Sequence, residues 1–151
     1  MNKSCSNLAF NVRRSARHMS LKSHKELTVW QKAMDLVVSC YCLTESFPKD
    51  SRFELTSQIR RAAVSIPSNI AEGFHRHSTP AYINHLRIAL GSQAELETQL
   101  ELAVRLRHSS VQATAPTMEN LDHVGRMLHR LVTALEKIRA PSAERREPNT
   151  A

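Results

Sequence analysis

Glycine is scarce in this chain, with three residues in 151. A turn-rich all-β architecture needs many more, and the six prolines do not make up the difference. Cysteine is few and odd in number: Cys5, Cys40 and Cys42. Such a set, with two members inside one helical pattern, does not make a disulfide framework. Two positions apart on a helix, Cys40 and Cys42 project about 200° from one another, so they cannot chelate one metal from that helix. They read as small thiols in a reducing cytosol. Aromatic residues are only 5% of the chain, namely Trp30, Tyr41, Tyr82 and four phenylalanines. So few argue against single-strand recognition by base stacking. No run approaches the roughly 18 consecutive apolar residues of a membrane span. The N-terminus lacks the continuous apolar core of a secretory signal. A phosphate-binding glycine loop, a zinc cysteine pattern, a nucleophile elbow and a helical His-Glu-x-x-His motif are all missing. The sequence therefore predicts a cytoplasmic protein that is not an enzyme, with no cofactor and no bound metal.

What is present is helix-forming residues and positive charge. The formal charge is +7. In residues 1–26 six Lys/Arg stand against one carboxylate, whereas residues 27–140 hold thirteen against eleven. Most of the excess thus belongs to an N-terminal arm, and the total charge says little about the rest. Residues 1–26 read as a disordered basic arm, Arg- and Ser-rich like a transit peptide. Translation from Met19 is a third reading, because helical periodicity begins soon after it.

Residues 27–140 show four amphipathic segments. The first runs from Thr28 to Ser46, with Leu27, Trp30, Met34, Val37, Tyr41 and Thr44 as its stripe and Ala33 and Val38 beside it. Pro48 closes it. The second runs from Arg52 to Phe74 on Leu55, Ile59, Ala62, Ile66 and Ile70. Pro67 interrupts it with an expected kink, and Gly73 can stop it. The third starts at Thr79–Pro80, a cap followed by a first-turn proline, and reaches Arg107. Ile83, Leu86, Leu90, Leu100 and Val104 mark it, Gln93 and Glu97 interrupt it, and Gly91 offers a close backbone approach. Residues 108–116 read as a loop. The fourth helix carries a heptad seam of Leu121, Val124, Leu128, Leu131, Leu135 and Ile138, and Pro141 stops it before a disordered tail, 141–151. Short links make antiparallel neighbours, so the fold class is all-α, an antiparallel up-down-up-down four-helix bundle.

Three stretches carry a family resemblance. They are Leu27-Thr-Val-Trp30-Gln-Lys-Ala-Met34 with Phe47-Pro-Lys49, the run from Leu55 through Arg60-Arg61 and Pro67 to Gly73, and Leu90-Gly-Ser-Gln-Ala-Glu95-Leu-Glu97-Thr-Gln-Leu100. Together they resemble the bacterial four-helix bundle proteins encoded within intervening sequences of 23S ribosomal RNA genes. That group is similar in fold to the accessory variability protein of diversity-generating retroelements. The resemblance implies a ring-like homopentamer and a role in binding RNA or DNA, and it carries over no catalytic residue. The long basic arm departs from the pattern, which favours the Met19 start. The segment after Arg107 is less family-like.

Several polar groups invite a functional reading. Arg60 and Arg61, helped by Lys49 and Arg52, are the candidate nucleic-acid-binding residues, through phosphate contacts. The alternative for the arginine pair is an ion pair with Glu97 or Glu101. Asn69, Glu72, Ser92, Gln93 and Glu95 suggest a buried hydrogen-bonded layer or polar contacts between subunits, rather than acid–base chemistry. His75, His77 and His85 lack helical metal spacing and a close carboxylate, so a pH-sensitive basic patch is the better reading. The expected partners are further copies of the chain, RNA or DNA, and alternatively a protein recruited without nucleic acid. No membrane partner is expected.

Overall fold

A computed structural model describes residues 21–50 and 54–143. Arg52, residues 1–20 of the arm and the tail from 144 lie outside the described residues. Ser23 opens a single 3-10 turn, His24–Glu26, its hydroxyl accepting the Lys25 N–H. Leu21 packs on the core, so the last six residues assigned to the arm belong to the fold.

Helix α1 spans Thr28–Glu45. Apolar residues surround much of this helix, and only one arc can be hidden. The buried arc is Val29, Ala33, Leu36, Cys40 and Thr44, rotated from the stripe the spacing suggests. Trp30 and Val37 are half-buried against the core, while Met34, Val38 and Tyr41 are exposed. The spacing rule finds a periodicity but cannot choose between two overlapping stripes on one apolar helix. Cys40 is fully buried and Cys42 exposed, as their angular separation requires.

Helix α2, Leu55–Phe74, buries Leu55, Ile59, Ala62, Ile66 and Ile70 as the spacing predicts. It runs through Pro67, which is itself buried. An interior proline costs about 3 kcal/mol. Ile66 and Ile70 are wholly hidden beside it, and each such side chain contributes roughly 1.5–3 kcal/mol, enough to hold the helix together. Gly73 does not act as a left-handed stop, since no glycine has positive φ. It is there for proximity: a Cβ on Gly73 would lie 2.8 Å from His85 Cβ and 2.8 Å from Tyr82 Cδ2.

Helix α3 spans Thr79–Arg105, with Ser78 rather than Thr79 as its cap, accepting from Ala81 N–H. Pro80 falls in the first turn, where its missing N–H costs no helical hydrogen bond. Its buried line passes through Ala89, Ser92 and Leu96, small or overlooked residues that bridge the interruption at Gln93 and Glu97. Gly91 faces open space, with nothing within 4 Å of an added Cβ, so no close approach occurs there. The helix ends in a Schellman-type closure: His108 N–H reaches Ala103 O and Arg107 N–H reaches Val104 O. Arg107 occupies the left-handed position, φ 59°.

Helix α4, Val111–Ala143, begins earlier and ends later than the proline rule suggests. Ser110 starts it by accepting the Ala113 N–H, and Thr114 and Thr117 are buried, so most of residues 108–116 is helix rather than loop. Pro141 does not stop it, because a proline removes only its own donor and a long packed helix absorbs the loss. Leu121, Val124, Leu128, Leu131 and Leu135 are buried, and Ile138 is exposed.

Neighbouring helices are antiparallel. Ser65 meets Ser92 while Gly73 meets Tyr82 across α2 and α3, and Arg87 meets Glu136 while Gln93 meets Gly125 across α3 and α4. Each helix packs on the next and α4 returns to α1, closing one four-helix bundle around a single core with no strand among the described residues.

Candidate nucleic-acid interface

The Arg60–Arg61 pair divides as a helix requires, the two side chains pointing about 100° apart. Arg60 turns toward α1. Its Nε donates to Thr44 Oγ1 at 2.9 Å, and its guanidinium carbon lies 4.5 Å from the Tyr41 ring centroid. Thr44 Oγ1 in turn donates to Cys40 O at 2.8 Å. Arg60 is therefore a half-buried tether between two helices. Arg61 is exposed and donates to Gln58 Oε1 at 2.8 Å. Lys49 is exposed in the link after α1. Neither arginine pairs with Glu97 or Glu101, the alternative the sequence left open: Glu101 accepts from Arg105 at 2.9 Å, on its own helix. Arg60 fails to reach them because it projects to the α1 side of α2, away from α3.

The polar residues between α2 and α3 form a connected layer. Ser92 Oγ donates to Ile88 O at 3.1 Å, which leaves Ser65 Oγ to donate to Ser92 Oγ at 2.8 Å. Asn69 Nδ2 donates to Ser65 O at 2.9 Å and to Ser65 Oγ at 3.1 Å. His85 Nδ1 meets Asn69 Oδ1 at 3.3 Å, and its Nε2 lies 3.7 Å from Glu72 Oε1. Glu72 also receives Arg76. Of the five residues singled out, Asn69, Glu72 and Ser92 join this layer. Gln93 packs on Gly125 instead, and Glu95 is exposed and accepts from Gln99. The serine hydroxyl Ser65, mid-helix and polar between two apolar neighbours, is the member that periodicity passed over.

The three histidines do not converge. His85 sits in the layer, with Glu72 as the nearby carboxylate that spacing could not reveal. His75 faces His24 of the 3-10 turn, ring nitrogens 3.0 Å apart. His24 also lies edge-on to Trp30, with centroids 5.1 Å apart. Burial, then His75, then Lys25 hold its imidazole below its ordinary pKa. No group of three or more metal-ligating side chains occurs among the described residues. Burial pushes the Cys40 thiol up to about 12 and raises the Tyr82 phenol above its ordinary value.

Fold and site together define an all-α four-helix bundle with a hydrogen-bonded polar layer between α2 and α3. The family model of the 23S rRNA-intervening sequence protein matches residues 25–130, and the chain belongs to that family. A similar solved structure is that of a protein of unknown function from the S23 ribosomal protein family of Bacteroides thetaiotaomicron. It is 25% identical, with a TM-score of 0.65, covering 70% of this chain and 95% of the other. No protein of curated function matches. None of the described helices is long and apolar enough to cross a membrane.

Proposed function

We propose that this protein is a non-enzymatic, oligomeric, cytoplasmic bundle that binds RNA or DNA through phosphate contacts. The observation that carries the reading is a set of exposed cations, Arg130 and Lys137 among them, with no carboxylate partner among the described residues. Exposed unpaired cations attract a polyanion and release its counterions. The family name links the chain to 23S rRNA, in keeping with such a partner. Tyr41, the exposed member of the Trp and Tyr set, already lies against Arg60, so phosphate contact suits this surface better than base stacking. Met34, Val38, Tyr41 and Val64 expose apolar surface along α1 and α2. Such surface on a small bundle marks a contact with further copies, and the ring-like homopentamer implied by the family resemblance would supply it. A ring repeats each basic patch about one axis and raises avidity.

Mobility shifts at several salt concentrations test this, on the full chain and on a chain starting at Met19. Each phosphate contact on duplex DNA should add about 0.9 to the slope of log affinity against log salt. Absence of binding at low salt by both chains would overturn the reading. The same exposed apolar surface favours a second reading, a scaffold that recruits a protein without nucleic acid. Capture of one defined partner that survives nuclease treatment would favour it.

A further inference from the structure

The charges of the bundle are sorted along its axis. The N-termini of α1 and α3 and the C-termini of α2 and α4 share one end, as the His24–His75, Gly73–Tyr82 and Arg87–Glu136 contacts require. Three carboxylates of this end are already answered: Asp35 by Lys32, Glu72 by Arg76 and Glu136 by Arg87. That leaves Lys22, Lys25, Arg130, Lys137 and Arg139, all exposed and without an ion pair among the described residues, beside the single unpaired acid Glu26. The opposite end is the reverse. There Lys49, Arg60, Arg61 and Arg107 share their half with six carboxylates that have no ion pair among the described residues, Glu45, Asp50, Glu54, Glu95, Glu97 and Glu119.

A polyanion is repelled by the second end and attracted by the first. Resting on the nucleic-acid reading above, we infer that the phosphate-binding surface is the end bearing Lys22, Lys25, Arg130, Lys137 and Arg139. It is not the end bearing Lys49, Arg60 and Arg61. Arg130 and Lys137 are two turns apart on the outer side of α4. At 1.5 Å per residue they are about 10 Å apart along the helix, close to three base-pair rises of a duplex. Long flexible side chains give both cations the reach to contact phosphates of one duplex. The ligand class is a phosphodiester backbone, in RNA or DNA. An anionic bilayer suits the surface less well. Cations that seat on a membrane flank one continuous apolar face, whereas the exposed apolar side chains here are divided between the halves, Met34, Ile88 and Ile138 in the basic one and Tyr41, Leu102, Leu106 and Val111 in the other.

The experiment compares the full chain with R130E/K137E and K49E/R61E by fluorescence anisotropy. The probes are an RNA and a DNA duplex of one sequence, and vesicles containing phosphatidylserine serve as the lipid arm. Circular dichroism and melting check that each variant is folded, and R130Q/K137Q removes the charges without adding new ones. The expected result is a loss of tenfold or more for R130E/K137E, a salt slope lower by about 1.8 for R130Q/K137Q on DNA, and a smaller loss for K49E/R61E. The arm with the larger loss, RNA or DNA, identifies the backbone. The inference is overturned, with the nucleic-acid reading left standing, if wild type binds and K49E/R61E loses as much as R130E/K137E or more. Tighter binding to vesicles than to either duplex also overturns it. A wild type that binds neither duplex at low salt removes the underlying reading and this inference together.

Discussion

Changing each of the three glycines to alanine is the same chemical step, a single methyl group added in a helix. In an exposed helix interior the change stabilises by about 1 kcal/mol, because alanine loses less backbone freedom on folding. Gly91 should show this gain in full, since an added Cβ there meets nothing within 4 Å. At Gly73 the same methyl would lie 2.8 Å from His85 Cβ, an atom fixed to the α3 backbone. The two helices must then part, which costs about 1–3 kcal/mol in an overpacked core. Gly73 is next to the last residue of α2, so the helical gain there is small. Gly73→Ala should destabilise by about 1–2 kcal/mol, and the two variants should differ by about 2–3 kcal/mol. Gly125→Ala meets the end of the Gln93 amide, 2.9 Å away at its closest, which can swing aside, so it should stay within about 1 kcal/mol of wild type. Urea unfolding at one fixed protein concentration reads all three as midpoint shifts. A melting curve should separate Gly73→Ala from Gly91→Ala by several degrees. A Gly73→Ala protein as stable as wild type, or a Gly91→Ala protein less stable, would refute the assigned helix packing.

Arg107 holds a left-handed conformation that strains any L side chain. Arg107→Gly should raise stability by about 1 kcal/mol in the same urea assay, and a loss would mean that the α3 closure is not as described. Cys40 is fully buried with its thiol pushed up to about 12. With Cys5 and Cys42 changed to serine, its alkylation at pH 8 should wait for unfolding and follow the urea curve; rapid labelling in water would contradict the burial. His24 titrates below its ordinary 6.5, so its neutral form is the one the fold prefers. Its contribution to stability is then intact above that pH and lost as pH falls below it. Trp30 fluorescence should report the loosening of the 3-10 turn below pH 6, and His24→Ala should abolish that transition. A pH-independent signal would show that the His24–His75 contact does not hold the turn.

Of the candidate site, the sequence made legible the residue types but not their allegiances. Arg60 and Arg61 look equivalent in a row of letters. Only the packing of α1 against one side of α2 makes Arg60 a tether to Thr44 and leaves Arg61 on the surface. Charge sorting was equally hidden, because Lys25 and Lys137 are distant in sequence and are brought to one end of the bundle only by its antiparallel topology.

The sequence alone determined that there would be four helices. That information is local, since a 3.6-residue period, a Ser or Thr cap and a short link act within a few turns. It also determined the seam of α4, where Leu121 to Leu135 leave one apolar arc and no competing one. Tertiary structure decided which arc of α1 is hidden, whether Pro67, Pro116 and Pro141 break their helices, and which glycine is crowded. Each of those outcomes is a balance of about 1–3 kcal/mol between a local preference and burial against another helix. The partner's position enters the balance, and no window of neighbouring residues contains it.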